Sequence, residues 1–238
     1  MARKYNDNEK RFNLLRRTAQ EARSYRVKMK VLTSVLIMLV IAAGLLYGVS
    51  ALYKRTGSFT VSINKYEMTE YGLTLSESRE MTHKTSHLNA DINEHMTNIA
   101  GESIPANVDM IDGEHNGDNY VAYTFYVQNA GAVPVAFEYK IAFSNVTNNL
   151  EDAIRIRLYV NGEATTYAKT ATDGSGAEPG TKEFYASTIA AFGRIDDFEP
   201  EEITKFTVVI WIEGNDPDCV DRLLGGQMNI SMHANIAH

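Results

Sequence analysis

The sequence predicts a mainly β protein: an antiparallel β-sandwich of jelly-roll or immunoglobulin-like type, preceded by a single transmembrane helix. Three observations carry that prediction. They are an uncharged run near the amino terminus, period-two alternation through much of the remaining chain, and an Asn-Gly pair set between two alternating segments.

Between Lys30 and Lys54 the chain runs twenty-three residues, Val31 to Tyr53, without a charged side chain. A bilayer core of about 30 Å is crossed by about 20 helical residues, so this run has the length of a span. Residues 1 to 30 hold ten Lys or Arg against Asp7, Glu9 and Glu21, which makes +7; the whole chain is −7, so −14 falls on residues 31 to 238. A short basic flank stays on the cytoplasmic side, which places the carboxyl-terminal part outside a bacterial cell membrane. Val49-Ser50-Ala51 also offers small residues for signal-peptide cleavage after Ala51. The basic region and the apolar run are both longer than a cleaved signal uses, so a retained signal anchor is expected. Phe12, Leu15, Ala19, Ala22 and Tyr25 recur at helical spacing in the basic tail, which suits a helix running into the span beside anionic headgroups.

The domain organisation that follows is a basic cytoplasmic tail at 1–30, the helix at 31–53, a stalk and first strand at 54–66, and an extracellular β domain at 67–238. Cys219 is the only cysteine, so no intramolecular disulfide can close and the domain must rely on its core. The absence of disulfides from an exported domain reads as bacterial, which makes the sequons at Asn145 and Asn229 chance matches. The acidic balance of the domain excludes a phosphate-binding, nucleic-acid surface and leaves the lipid bilayer as the first partner.

Strands follow from alternation. Val121, Tyr123, Phe125 and Val127 lie on one side of a strand over Asn119 to Asn129, and Ile154, Ile156, Leu158 and Val160 on one side of Ala153 to Val160. Asn161-Gly162 tolerates positive φ at both turn positions, so Ala153 to Val160 and Glu163 to Lys169 read as a hairpin with a type I′ turn. Lys205 to Glu213 and Gln227 to Ala234 repeat the pattern, and Ser58 to Ile63, Gly72 to Ser76 and Val133 to Phe143 are further strands. Ser58 to Ile63 and Gln227 to Ala234 are expected at open sheet edges. Leu88, Ile92 and Met96 stand four apart behind Thr85 and Ser86, which predicts a short helix over His87 to Ile99. Thr170 to Thr181 is rich in Gly, Ser and Asp and reads as an exposed loop.

Several segments together resemble a known group. They are Tyr120-Val121-Ala122-Tyr123-Thr124-Phe125-Tyr126, Asn129-Ala130-Gly131, Ala153-Ile154-Arg155, the run from Phe206 through Trp211-Ile212-Glu213-Gly214-Asn215-Asp216-Pro217-Asp218-Cys219, and Gly225-Gly226. Over Ser58 to His238 the chain is similar to a group of uncharacterised bacterial exported proteins, related in layout to the TasA and camelysin family of surface and biofilm-matrix proteins. The resemblance implies a jelly-roll domain on the cell surface and, as in the fibre-forming members, assembly in which an extended segment of one subunit completes the sheet of the next. The long basic tail and the anchor depart from those members.

Residues for chemistry are sparse. Some camelysin relatives have been called metallopeptidases, but none of the six histidines here stands in an H-E-x-x-H frame. His83 and His87 are four apart and could share a helix face, but two exposed polar residues at a helix start are the preferred account of them. No G-x-S-x-G elbow frames a serine, and Cys219 follows two acids, a poor setting for a nucleophilic thiolate. No catalytic residue is assigned and the chain is expected not to be an enzyme. For a metal, Asp112, Glu114, Asn116 and Asp118 surround Gly113 and Gly117 in the pattern of the first half of a calcium loop, so Ca2+ is the one candidate cofactor. Tyr123 stands where the bidentate Glu belongs, and a solvated turn before the strand is the competing reading. Glu213, Asp216 and Asp218 form a second acidic turn, and Trp211 and the thirteen tyrosines suit either a buried core or a carbohydrate- or protein-binding surface.

The functional expectation is a membrane-anchored cell-surface protein acting in adhesion or extracellular assembly, with self-association or other surface proteins as partners. A calcium- or ligand-binding sensor ectodomain is the alternative, and a camelysin-type metallopeptidase a third reading.

Overall fold

A computed structural model describes residues 23–24, 28–47, 58–92 and 96–237. Residues 1–22 and 25–27 of the basic tail with its helical spacing, residues 48–53 of the expected span with the cleavage point after Ala51, and the start of the stalk fall outside the described residues. The chain forms two compact units, residues 1–55 and 56–238.

In the first unit Lys28–Tyr47 is one helix, α1, of 20 residues and apolar enough to cross a membrane. Its Thr and Ser hydroxyls are satisfied within the helix: Thr33 Oγ1 donates to the Met29 carbonyl at 2.8 Å and Ser34 Oγ to that of Lys30 at 2.9 Å. In hydrocarbon an unpaired hydroxyl is costly, and this backbone pairing removes the cost.

The second unit is mainly β and holds two mixed sheets. In chain order its elements are β1 (Ser58–Ile63), α2 (Lys65–Tyr71), β2 (Leu73–Ser76), β3 (His87–Asp91), β4 (Gly113–Glu114), β5 (Tyr120–Asn129) and β6 (Val135–Ser144). There follow β7 (Ile154–Val160), β8 (Glu163–Ala168), β9 (Lys182–Glu183), β10 (Ile189–Phe198), β11 (Ile203–Ile212) and β12 (Asn229–Ile236). The first sheet has the order β10-β6-β12-β1-β3; the second is β2-β5-β11-β7-β8-β9, with β4 also on β5.

Both sheets contribute to one hydrophobic core. Phe206 of β11 stacks on its cross-strand neighbour Phe125 at 5.5 Å between ring centres and meets Tyr139 of the other sheet edge-on at 5.1 Å; Phe59 meets Tyr123 at 6.0 Å. A second cluster lies on the opposite side of the second sheet, where Ile104 and Val108 pack on Ala122, Tyr159, Val209 and Trp211. The middle strands β5 and β11 are therefore buried on both faces, which explains why Val208 to Trp211 reads as a continuous apolar run and not as alternation.

The hairpin is as predicted. Asn161 and Gly162 have φ of 51° and 91°, and Val160 pairs with Glu163. Three expectations are corrected. The sheets are not purely antiparallel: β1 runs parallel to β12, and β8 parallel to β9. Nor are β1 and β12 edges, since β1 lies between β12 and β3 and β12 between β6 and β1. Phe59, Val61 and Ile63 pair with Ile230, Met232 and Ala234 on the core side. Alternation marks which face of a strand is buried but carries no information about its neighbour.

The helix predicted at 87–99 is instead strand β3 over its first five residues, antiparallel to β1; residues 93–95 are outside the described set. The four-residue spacing of Leu88, Ile92 and Met96 is also a multiple of two, and with Ala90 buried against β1 the sheet ladder wins over the helical period. Between β1 and β2 lies a short helix, α2, that no periodicity signals. Asn64 caps it by accepting from the Tyr66 amide at 3.0 Å, and Gly72 ends it at φ 77° in a position where a Cβ would lie 2.3 Å from the Gly131 nitrogen. Strand β10 was not legible because Ala190-Ala191, Gly193 and two register shifts against β6 break its alternation.

Candidate functional site

The turn after β11 carries a connected network of polar side chains. Trp211, 2% exposed, donates its indole N–H to Glu213 Oε2 at 2.9 Å. The same oxygen accepts the Gly101 amide at 3.0 Å, and Oε1 accepts the Asn215 amide at 3.1 Å. Glu213 thus ties the end of β11 to the segment that covers the outer side of the second sheet. The fit is close there: a Cβ on Gly101 would stand 2.9 Å from Trp211 Cζ2.

Arg155 of β7 is also 2% exposed and joins two further loops. Its Nη2 is bonded to Asp216 Oδ2 and, at 2.9 Å, to Glu178 Oε2, and Nε reaches the same Glu178 oxygen at 3.2 Å. A buried guanidinium needs such partners, because an unpaired charge in a low-dielectric interior costs several kcal/mol. Asp216 in turn accepts the Asp218 amide on Oδ1 at 2.7 Å. Asp218 accepts the Thr172 amide at 2.9 Å and its hydroxyl, bonds that hold its carboxyl below the ordinary carboxylate range. Asn98 reaches Cys219 Sγ at 3.5 Å, so the partly buried thiol sits at the end of this bracing network.

Beside these groups lies a cleft of about 260 Å³ lined by Gly101, Glu102, Arg157, Thr166, Glu178 and Trp211, among others. Arg157 stacks over the Trp211 ring at 5.1 Å and donates Nε–H to Thr166 Oγ1 at 3.1 Å. The sequence places Arg155 and Arg157 at the outward positions of β7, where alternation reads as a solvent face. Nothing local signals that two loops, at 98–103 and 171–181, close over that face.

The four candidate calcium ligands belong to a different place. Asp112 Oδ1 accepts the Tyr126 hydroxyl, and burial followed by this bond raises Tyr126 above its ordinary value. Glu114 accepts the Asp91 amide at 2.9 Å and the Asn116 side-chain amide at 3.0 Å. Asn116 accepts the Ala122 amide at 2.9 Å and donates to the Asp91 carbonyl at 2.7 Å, while Asp118 is exposed. The segment is a hydrogen-bonded turn that docks β4 and the end of β3 onto β5. Among the described residues no group of three or more His, Cys, Asp or Glu side chains is arranged to hold a metal ion. The described histidines are dispersed: His115 contacts the carbonyls of Gly113 and Val108, His233 contacts Ser62 Oγ at 2.8 Å, and His87 is on β3 and not on a helix face with His83.

No protein-family profile matches the chain, and no curated protein matches it at significant similarity.

Proposed function

We propose that this chain is a bacterial cell-surface protein held by a retained amino-terminal anchor, with residues 1–30 cytoplasmic and the β unit outside, acting without catalysis in adhesion or extracellular assembly. In this reading the two sheets form a β-sandwich of jelly-roll or immunoglobulin-like type, related in layout to TasA-type matrix proteins, with self-association or another surface protein as its partner. The observation that carries it is the order of parts: a +7 tail, a helix of bilayer length, and, after a short connection, an acidic β domain. In support, the side-chain oxygens of Glu213, Asp216 and Asp218 are engaged in bracing contacts, which favours a rigid scaffold over an acid–base site. The segment of β10 from Ala191 to Phe198 is an edge with β6 on one side only, and beside it Tyr185 and Phe192 stack at 5.0 Å with both rings exposed. Open edges with nearby aromatics are surfaces that neighbouring chains use for strand addition.

Expression of the full chain in a non-aggregating bacterial host tests the reading. The β unit should be removed by protease added to intact cells, the cells should settle or attach, and the detergent-solubilised chain should sediment as concentration-dependent oligomers. A unit protected from external protease, or cells and chain that remain dispersed and monomeric, would overturn it.

A further inference from the structure

The cleft beside Trp211 has a charge arrangement that the bracing network does not use up. Its floor includes Arg157, whose Nε is bonded to Thr166 and whose guanidinium carbon lies 5.1 Å from the centre of the Trp211 ring, two contacts that restrain the side chain. Unlike Arg155, it pairs with no carboxylate among the described residues, which leaves its two terminal NH2 groups as a fork of donors. The walls carry the opposite sign: Glu102 is exposed on one side, and Glu178 on the other is only partly covered by its contact with Arg155. Counting Arg155 and Glu213 as well, the lining has three carboxylates against two guanidinium groups. A simple anion drawn to the floor would be repelled by the walls. A ligand with a carboxylate at one end and an ammonium at the other meets both.

We infer that this cleft binds a zwitterionic ligand of amino-acid type, its carboxylate taken bidentately by Arg157 and its ammonium held at Glu102 and Glu178. The bidentate geometry is the one a planar guanidinium forms with carboxylates, and the contacts with Thr166 and Trp211 reduce the freedom that a free arginine would lose on binding. At about 260 Å³ the cleft is below the size of sites that enclose drug-sized molecules, which suits a single amino acid.

Trp211 is the only tryptophan in the chain and lies directly under Arg157, so its emission reports on the site. The full chain in detergent is titrated with glycine, L-alanine, D-alanine and L-glutamate, and separately with sodium acetate and ethylammonium chloride. Calorimetry runs alongside so that a spectroscopically silent complex is still seen. The expected result is saturable binding of at least one amino acid and none of acetate or ethylammonium alone. Arg157→Lys, which keeps the charge and loses the fork, should weaken it about tenfold or more, and Arg157→Gln should abolish it in a chain that still unfolds cooperatively, its melt lowered by no more than a few degrees through the lost Thr166 and Trp211 contacts. Glu102→Gln should weaken binding with no change in melting. No saturable binding of any of the four amino acids by either method, an equal response to acetate, or binding that survives in Arg157→Gln would each overturn the inference.

Discussion

Replacing Trp211 by alanine should be among the most destabilising single changes in the β unit. The side chain is 2% exposed, packs with Ile104, Val108, Ala122, Tyr159 and Val209, carries the Arg157 guanidinium on its face, and gives its N–H to the buried Glu213. Truncating a buried Trp costs about 3 to 5 kcal/mol, and each kcal/mol lowers the melting temperature of a domain of this length by about 2 to 4 °C. The melt should therefore fall by about 6 to 20 °C. Trp211→Phe separates the contributions, since it keeps most of the apolar volume and removes the donor to Glu213; a buried acceptor losing one partner costs about 1 to 3 kcal/mol. Glu213 still accepts from Gly101 and Asn215, so the lower half of that range is expected. The assay is guanidinium unfolding of the full chain followed by far-ultraviolet circular dichroism at the β-sheet band, because the alanine variant has no tryptophan to follow. A Trp211→Ala variant within about 1 kcal/mol of the parent would refute the burial argument, given that exposed substitutions fall in that range.

Deleting residues 56–66 removes β1 from the middle of the first sheet together with Phe59, Val61 and Ile63, so the β unit should fail to fold; dispersed amide resonances from the deleted chain would show that β12 and β3 can close without it. Arg155→Ala should cost about 3 to 5 kcal/mol by leaving Asp216 buried and unpaired, and adding Asp216→Ala should cost much less than the sum, as a double-mutant cycle in denaturant will measure. Burial, and then Lys140, hold His233 below its ordinary value near 6.5, so the unfolded chain takes up its proton first. The stability this group contributes is complete above pH 6.5 and declines as pH falls through the lower folded value, and His233→Gln should flatten that part of the melting profile between pH 7.5 and 5. The chain should stay in the membrane fraction with its own amino terminus, whereas a surface product whose sequence begins at Leu52 would show cleavage after Ala51.

What the sequence determined by itself about this protein is what depends on neighbours along the chain. A charge-free run of bilayer length marks α1, alternation marks the residues of β1, β5, β7 and β12 that face the main core but not the second buried face of β5 and β7, and Asn161-Gly162 marks the turn between β7 and β8, because each of these signals is complete within a few residues. Only the tertiary structure decided which strands pair. Nothing in Ser58 to Ile63 says that it lies parallel to β12, and nothing in Leu88 to Met96 chooses between a period of four and a period of two until β1 is beside it. The candidate site was hidden for the same reason. Trp211 and Glu213 were visible as a motif, but Gly101, which meets them, is 112 residues from Glu213, and Arg155 is 61 residues from its partner Asp216. Arginines at outward strand positions read as solvated, and it is the two loops folding over β7 that bury one of them and leave the other as the cation at the floor of a cleft.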